Sequence, residues 1–176
     1  MTIAEYFETP ETVAPQELIF GIMRVADSPT PRHQRAVGDL FLALTGHVRP
    51  RLGDVWLAPL DVVLDVERAL VVQPDLFVVL EGGKARVGER VFGPPDLVIE
   101  VLSPKPRIGD VDERLAWFGE YGVRECWLVD QAARSVHVVG FAAGRQTGRR
   151  VFAADEPIVS AVLPEFRRTL TSVLSR

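Results

Sequence analysis

The chain has one cysteine, Cys126, so no internal disulfide can form, and a reducing cytoplasm is the expected compartment. Lysine is almost as scarce: Lys84 and Lys105 stand alone among 20 basic residues, the rest being arginine. The three histidines, His33, His47 and His137, are scattered without ligand spacing, so no zinc site is expected. A glycine-rich phosphate loop and a GxSxG elbow are missing, and a thiol catalyst has no support. No apolar run approaches membrane-spanning length, and the N-terminal MTIAEYFETPE is acidic, unlike a secretion signal. No membrane contact is therefore expected. Positive charge is not in excess either. The formal net charge is −4, so any contact with nucleic acid must come from a local basic patch.

What is present fits an ordinary globular chain. There are 176 residues, 47% hydrophobic and 25% charged, enough for one domain over 1–176 with a sizeable core. The most informative stretch is GPPDLVIEVLSP, Gly93 to Pro104, an apolar run with two carboxylates set into it. Side chains alternate along a strand, so Asp96, Val98, Glu100 and Leu102 share one face, and Leu97, Ile99 and Val101 the other. Charge in such a run is costly unless it is paired or binds a cation. Two readings stay open from spacing alone. Either the acids form part of a metal site, or Asp96 starts the strand after Pro94–Pro95 and Glu100 pairs with an arginine.

Taken in order, residues 1–16 read as a short helix and loop. Glu17–Ala26 reads as a strand kinked or bulged at Gly21. Asp27–Pro31 reads as a turn, with Thr30 capping a helix that opens at Pro31, runs to about Thr45 and stops at Gly46. Asp54–Leu64 is extended and broken at Pro59. Val71–Leu80 is a strand with Asp75 near its start, and 81–93 is a charged, glycine-rich surface loop. The central strand covers Asp96–Leu102. Asp110–Tyr121 is an amphipathic helix with Val111, Leu115 and Phe118 as its apolar stripe, an acidic capping box at Asp110 and Glu113, and a stop at Gly122. Glu125–Asp130 is a strand, and Arg134–Phe141 with Arg149–Phe152 forms an outer hairpin. A short strand follows from Pro157, then a polar amphipathic tail from Pro164.

The expected fold class is mixed α/β (α+β). Its core order is helix, three-stranded antiparallel meander, helix, strand, with an extra β-hairpin. Such a meander lets Asp75 on one strand meet Asp96 and Glu100 on the next. Two or three carboxylates suit a hard divalent cation such as Mg²⁺.

Six stretches, in this order, resemble one family. They are ELIFG at 17–21, SPTPRHQRAVGDL at 28–40, QPDLFVV at 73–79, PPDLVIEVLSP at 94–104, DERLAWFGEYGV at 112–123 and ECWLVD at 125–130. Together they resemble the Uma-two family of restriction-endonuclease-like proteins, within the PD-(D/E)XK nuclease superfamily. The match spans most of residues 15–140, with the core at about 17–140. The resemblance implies a restriction-endonuclease-like core, Mg²⁺ or Mn²⁺ as cofactor, DNA as substrate and hydrolysis of its phosphodiester bonds. It implies Asp75 and Glu100 as metal ligands and catalytic residues, with Asp96 on the same strand face as an additional ligand. Glu17 resembles an acid that precedes the family's first helix; the residues alone favour a solvated strand-end charge.

The chain departs from the pattern where a lysine is expected. Two residues beyond Glu100 stands Leu102. In Uma-two relatives the lysine looks to have moved to the following helix, where this chain has Arg114. Arginine binds phosphate but does not act as a proton acceptor. Ile22 stands where a further family acid is expected. Lys105 reads as an exposed loop residue within possible reach of the site. His33 and Gln34 match the family's HQ pair and either line the groove or serve the helix start. Trp117 and Tyr121 read as core or interface, and Arg107, Arg114 and Arg124 as candidate phosphate contacts or solvated charges. The leading expectation is a Mg²⁺-dependent endonuclease with Asp75, Glu100, Asp96 and Arg114 at its centre. The alternatives are a catalytically weak or inactive nuclease-fold protein that binds nucleic acid or a protein partner, and a structural protein whose acids pair with arginines. Cutting both strands of a duplex takes two sites, so a homodimer is the assembly considered.

Overall fold

A computed structural model describes residues 1–10, 14–49, 51–103 and 110–174. Lys105 and Arg107 lie outside the described residues. The chain opens with helix α1 (Ile3–Phe7), capped by the Thr2 side chain. The segment expected as one kinked strand folds back on itself: β1 (Gln16–Ile19) pairs antiparallel with β2 (Ile22–Val25). Gly21 belongs to the turn. Phe20 and Gly21 have φ of 49° and 81°, as a tight two-residue hairpin turn demands.

Helix α2 (Pro31–Val48) starts as its sequence foretells, with the Thr30 side chain accepting from the His33 N–H at 3.2 Å. It runs three residues past Thr45, straight through Gly46. Leu44 and Val48 are both fully buried, and packing of that face outweighs the glycine's low helix propensity. Strands β3 (Gly53–Leu57) and β4 (Val62–Asp65) flank the break at Pro59. The expected strand over 71–80 is cut in two, β5 (Leu70–Val72) and β6 (Leu76–Leu80), which join different sheets. Pro74 has no N–H for a ladder, so the chain changes sheets there. The loop at 81–93 carries a small hairpin, β7 (Arg86–Val87) and β8 (Val91–Phe92).

Strand β9 (Leu97–Val101) leads through helix α3 (Val111–Tyr121) to β10 (Glu125–Asp130). The helix provides the crossover that a parallel β9–β10 pair requires. Strands β11 (Ser135–Ala142) and β12 (Arg145–Ala153) form the outer hairpin. The tail differs from expectation. A single bridge joins Pro157 to Thr169, and helix α4 (Leu170–Val173) ends the described chain. Ile158, Leu163, Phe166 and Leu170 from this tail are buried in the core.

Two mixed six-stranded sheets result, ordered β2-β1-β5-β4-β8-β7 and β12-β11-β10-β9-β6-β3. The second holds the expected core: β3, β6 and β9 form the antiparallel meander and β10 adds in parallel. Alternation along β9 sends Leu97, Ile99 and Val101 into a core shared with α2 and the tail. Val98 points the other way, into a second core with α3 and the first sheet. Helix α1 covers the far face of the first sheet through Ile3 and Tyr6. Among the described residues, no helix is long and apolar enough to cross a membrane.

Candidate active site

Strands β6 and β9 set the geometry. Their antiparallel register pairs Leu76 with Ile99 and Phe77 with Val98. Just before β6, Asp75 comes beside Glu100 near the end of β9, close enough for its charge to act on that carboxyl. The two acids line one cleft of about 190 Å³ together with Glu17, Gln73, Arg114 and Phe118.

Asp75 is fixed from two sides. Its Oδ2 accepts from the Val101 N–H at 2.8 Å and lies 3.1 Å from His33 Nε2. Both His33 and Asp75 are buried, so α2 is tied to the meander by a polar contact inside the fold. Helix α3 delivers Arg114 to the same cleft. The Arg114 Nε and Nη2 donate to Glu100 Oε1 at 3.1 and 2.6 Å, and Nη1 donates to Glu17 Oε2 at 2.7 Å. The other Glu17 oxygen accepts from the Gln73 N–H at 2.7 Å. Gln73 passes the contact on to Asp61, which also receives the Tyr6 hydroxyl.

Electrostatics follow from this crowding. Burial pushes the Glu100 carboxyl up to about 7, the negative charge of Asp75 adds to the rise, and Arg114 opposes it. Burial works against the Arg114 charge, yet Glu100 and Glu17 outweigh it and hold its pKa above the usual arginine value. Glu17 and Glu100 hold the guanidinium, and Asp75 lines the same cleft, so three acidic side chains share one arginine there.

The donor set suits a hard ion, since every candidate ligand is a carboxylate oxygen. Among the described residues no three His, Cys, Asp or Glu side chains are gathered to hold an ion by themselves. Mg²⁺ does not require that. It commonly takes one or two carboxylates and completes its octahedron with water and substrate phosphate.

Asp96 is not brought to this point. It precedes the opposite end of β9, four residues and about 13 Å along an extended chain from Glu100. Its carboxylate accepts from the Leu80 N–H at 2.9 Å and from Arg124 Nη1 at 3.1 Å. Sharing a strand face therefore did not mean sharing a site, and Asp96 and Arg124 serve each other. Trp117 is core, edge-on to Phe20, and the Tyr121 hydroxyl accepts from Arg68. Ile22 is exposed on β2.

Glu17 is the residue whose place the sequence hid. It is 3% exposed, whereas a solvated charge was the reading its position favoured. Its partner Arg114 lies 97 residues away, so no local pattern links them. Two signals pointed to it: its resemblance to an acid that precedes the family's first helix, and its place at the head of an apolar strand, as at Asp75.

Comparison with known proteins agrees with the fold. The Uma2 family model, described as "Putative restriction endonuclease", matches residues 3–171. The fold is similar to the crystal structure of a putative nuclease belonging to DUF820 from Anabaena variabilis ATCC 29413. The TM-score is 0.81 at 22% sequence identity, over 99% of this chain and 97% of that one. No curated protein matches the chain.

Proposed function

Since the chain belongs to the Uma2 family of putative restriction endonucleases, we propose that it is a divalent-metal-dependent endonuclease that hydrolyses phosphodiester bonds in DNA. The observation that carries this reading is the pair Asp75 and Glu100 at the end of the meander, in a cleft entered by a buried guanidinium. Asp75 and Glu100 would hold Mg²⁺ or Mn²⁺. What the ion supplies when bound is a lowered pKa for a coordinated water and compensation for the charge of the phosphate.

The chain's own groups do the positioning. The Val101 N–H and His33 stop the Asp75 carboxylate from rotating, so it needs no reorganisation to receive a ligand. Glu17 and Glu100 hold Arg114 by three donors, which fixes a positive charge beside the path of a phosphate. Arginine does not take a proton at neutral pH, so the guanidinium acts through charge alone. Apolar walls from Leu115, Phe118 and Leu128 keep the local dielectric low, which strengthens each of these interactions.

The test is nicking of supercoiled plasmid with Mg²⁺ or Mn²⁺. Wild-type cleavage should fall by at least about a hundredfold in Glu100→Ala and Asp75→Ala, the scale of losing a pre-organised electrostatic group. Asp96→Asn should leave the rate per folded molecule unchanged. Plasmid left intact by wild-type protein with either ion would refute the reading.

One observation favours a second reading. Arg114 already occupies Glu100 Oε1 and Glu17, an internal counter-ion where the resemblance to Uma-two relatives implies a lysine. A nuclease-fold protein of weak or no activity that binds nucleic acid would keep such a clamp. Arg114→Lys separates the two readings, because it restores a titratable amine with a smaller hold on the carboxylates. A rise in metal-dependent cleavage supports the enzyme, and the absence of cleavage in both proteins supports the binding module.

A further inference from the structure

An acidic chain that works on DNA must concentrate positive charge somewhere. Three arginines were candidates from sequence. Arg114 is consumed by its clamp, Arg124 is paired with Asp96, and Arg107 lies outside the described residues. A different basic surface stands out. A groove of about 810 Å³ runs between the first turns of α2, the 131–134 turn after β10, and α4. Arg32, Arg35 and Arg134 line it, with Asp39 as the one acid among the lining residues. All three arginines are exposed. Arg32 and Arg35 are three residues apart on α2 and so share a helix face. Arg32 is steadied by a 2.9 Å bond from Nη2 to the Gln131 carbonyl. Arg35 and Arg134 donate to no carboxylate among the described residues, and nearby Asp130 turns its Oδ1 to the N–H groups of Ala132 and Ala133.

The groove is adjacent to the candidate active site through a shared element. His33, which touches Asp75, is the neighbour of Arg32 in the first turn of α2. The 131–134 turn follows the end of β10 that lies beside Val101, the residue whose N–H holds Asp75. The two features therefore sit at the same end of the second sheet, on opposite faces of it. A backbone crossing that sheet end would meet the acids on one side and the arginines on the other. Positive end charge of an 18-residue helix adds to the same region.

We propose that Arg32, Arg35 and Arg134 form a phosphate track that holds the backbone of DNA whose scissile bond lies at Asp75 and Glu100. This rests on the nuclease reading for the identity of the substrate, but the track is a binding device and is measurable without catalysis. Arginine suits the task because its planar fork grips phosphate oxygens bidentately and stays charged. The contacts are to the backbone, so they position the duplex and carry no sequence preference.

The experiment measures binding of a short fluorescent duplex by anisotropy across a salt series, in EDTA, where no cleavage occurs. The test protein is the double variant Arg35→Ala and Arg134→Asn. Alanine keeps the helix, and asparagine tolerates the positive φ of 52° at position 134. Each lost phosphate contact should lower the slope of log K against log salt by about 1, so the pair should lower it by about 2. Arg51→Ala, past the other end of α2, which lies about 20 Å along the axis from Arg35, should leave the slope unchanged. An equal slope in the double variant and wild type overturns the track, as does a wild-type chain that does not bind the duplex. Metal-dependent cleavage with an unaltered slope would sink the track and spare the nuclease. An arginine-dependent slope without any cleavage would do the reverse.

Discussion

A buried guanidinium held by two carboxylates loses part of its support when either one is removed. Arg114 has 11% of its side chain exposed, and Glu17 3%. Removing Glu17 leaves the guanidinium to Glu100 and strips the acceptor from Arg114 Nη1 and from the Gln73 N–H, a loss of roughly 1–3 kcal/mol. Glu17→Ala should therefore lower the unfolding free energy by about that amount in urea. Glu17→Gln should cost less, since it keeps an acceptor for the Gln73 N–H. In the double variant Glu17→Ala with Arg114→Leu, the two losses should fall well short of adding, because the second change removes the donor left without its acceptor. Wild-type urea midpoints in Glu17→Ala would show that the clamp contributes nothing. At this scale the sequence revealed identity but not partnership. Glu100, set inside an apolar run, announced a pairing; Glu17 did not, because its partner is 97 residues distant.

Elements were legible where a chemical signal was local. Helix α3 has its acidic capping box at Asp110 and Glu113 and its left-handed stop at Gly122, both readable as letters. Gly122 has φ 94°, and a Cβ there would make only ordinary 3.6 Å contacts with Lys84 Nζ and Pro94. Gly122→Ala therefore isolates backbone strain, and should cost about 1–2 kcal/mol by denaturant unfolding. Nuclease activity per folded molecule should hold, since Arg114 lies roughly two turns back from the cap. A larger loss would mean that the neighbours at Gly122 are tighter than those distances imply. Elements went astray where a non-local choice decided them. Gly46 resembled a stop, yet buried Leu44 and Val48 carry α2 past it. Pro74 sat inside an apolar run that looked continuous, and only the existence of two sheets explains why the run divides there.

At the scale of the molecule, the tail completes the core. Phe166 is 1% exposed, with its ring centroid 5.4 Å from those of both Trp127 and His47. Glu125, also buried, ties the segment down. It accepts from the Trp127 indole, the Ser160 hydroxyl and the Ala161 N–H. Phe166→Ala should cost about 3–5 kcal/mol, as large-to-small core changes do. The expected result is a lower urea midpoint and a more solvent-exposed Trp127 emission. A loss under about 1 kcal/mol would mean that the tail packs loosely against β10. The sequence read this segment as a short strand followed by a polar amphipathic tail. Its apolar half is instead what shields the outer face of the second sheet.

The sequence by itself determined the meander, its crossover helix and the acids at strand heads, because alternation, capping and glycine stops act over a few residues. It also determined the family, through short stretches in a fixed order. Tertiary structure decided which of those acids meet. Asp75 and Glu100 line one cleft because antiparallel register sets the start of one strand beside the end of the next. The same geometry sends Asp96 to the far end of β9, beside Leu80 and Arg124. Register and packing over long sequence separations have no local signature, so the company each charge keeps could be seen only in the folded chain.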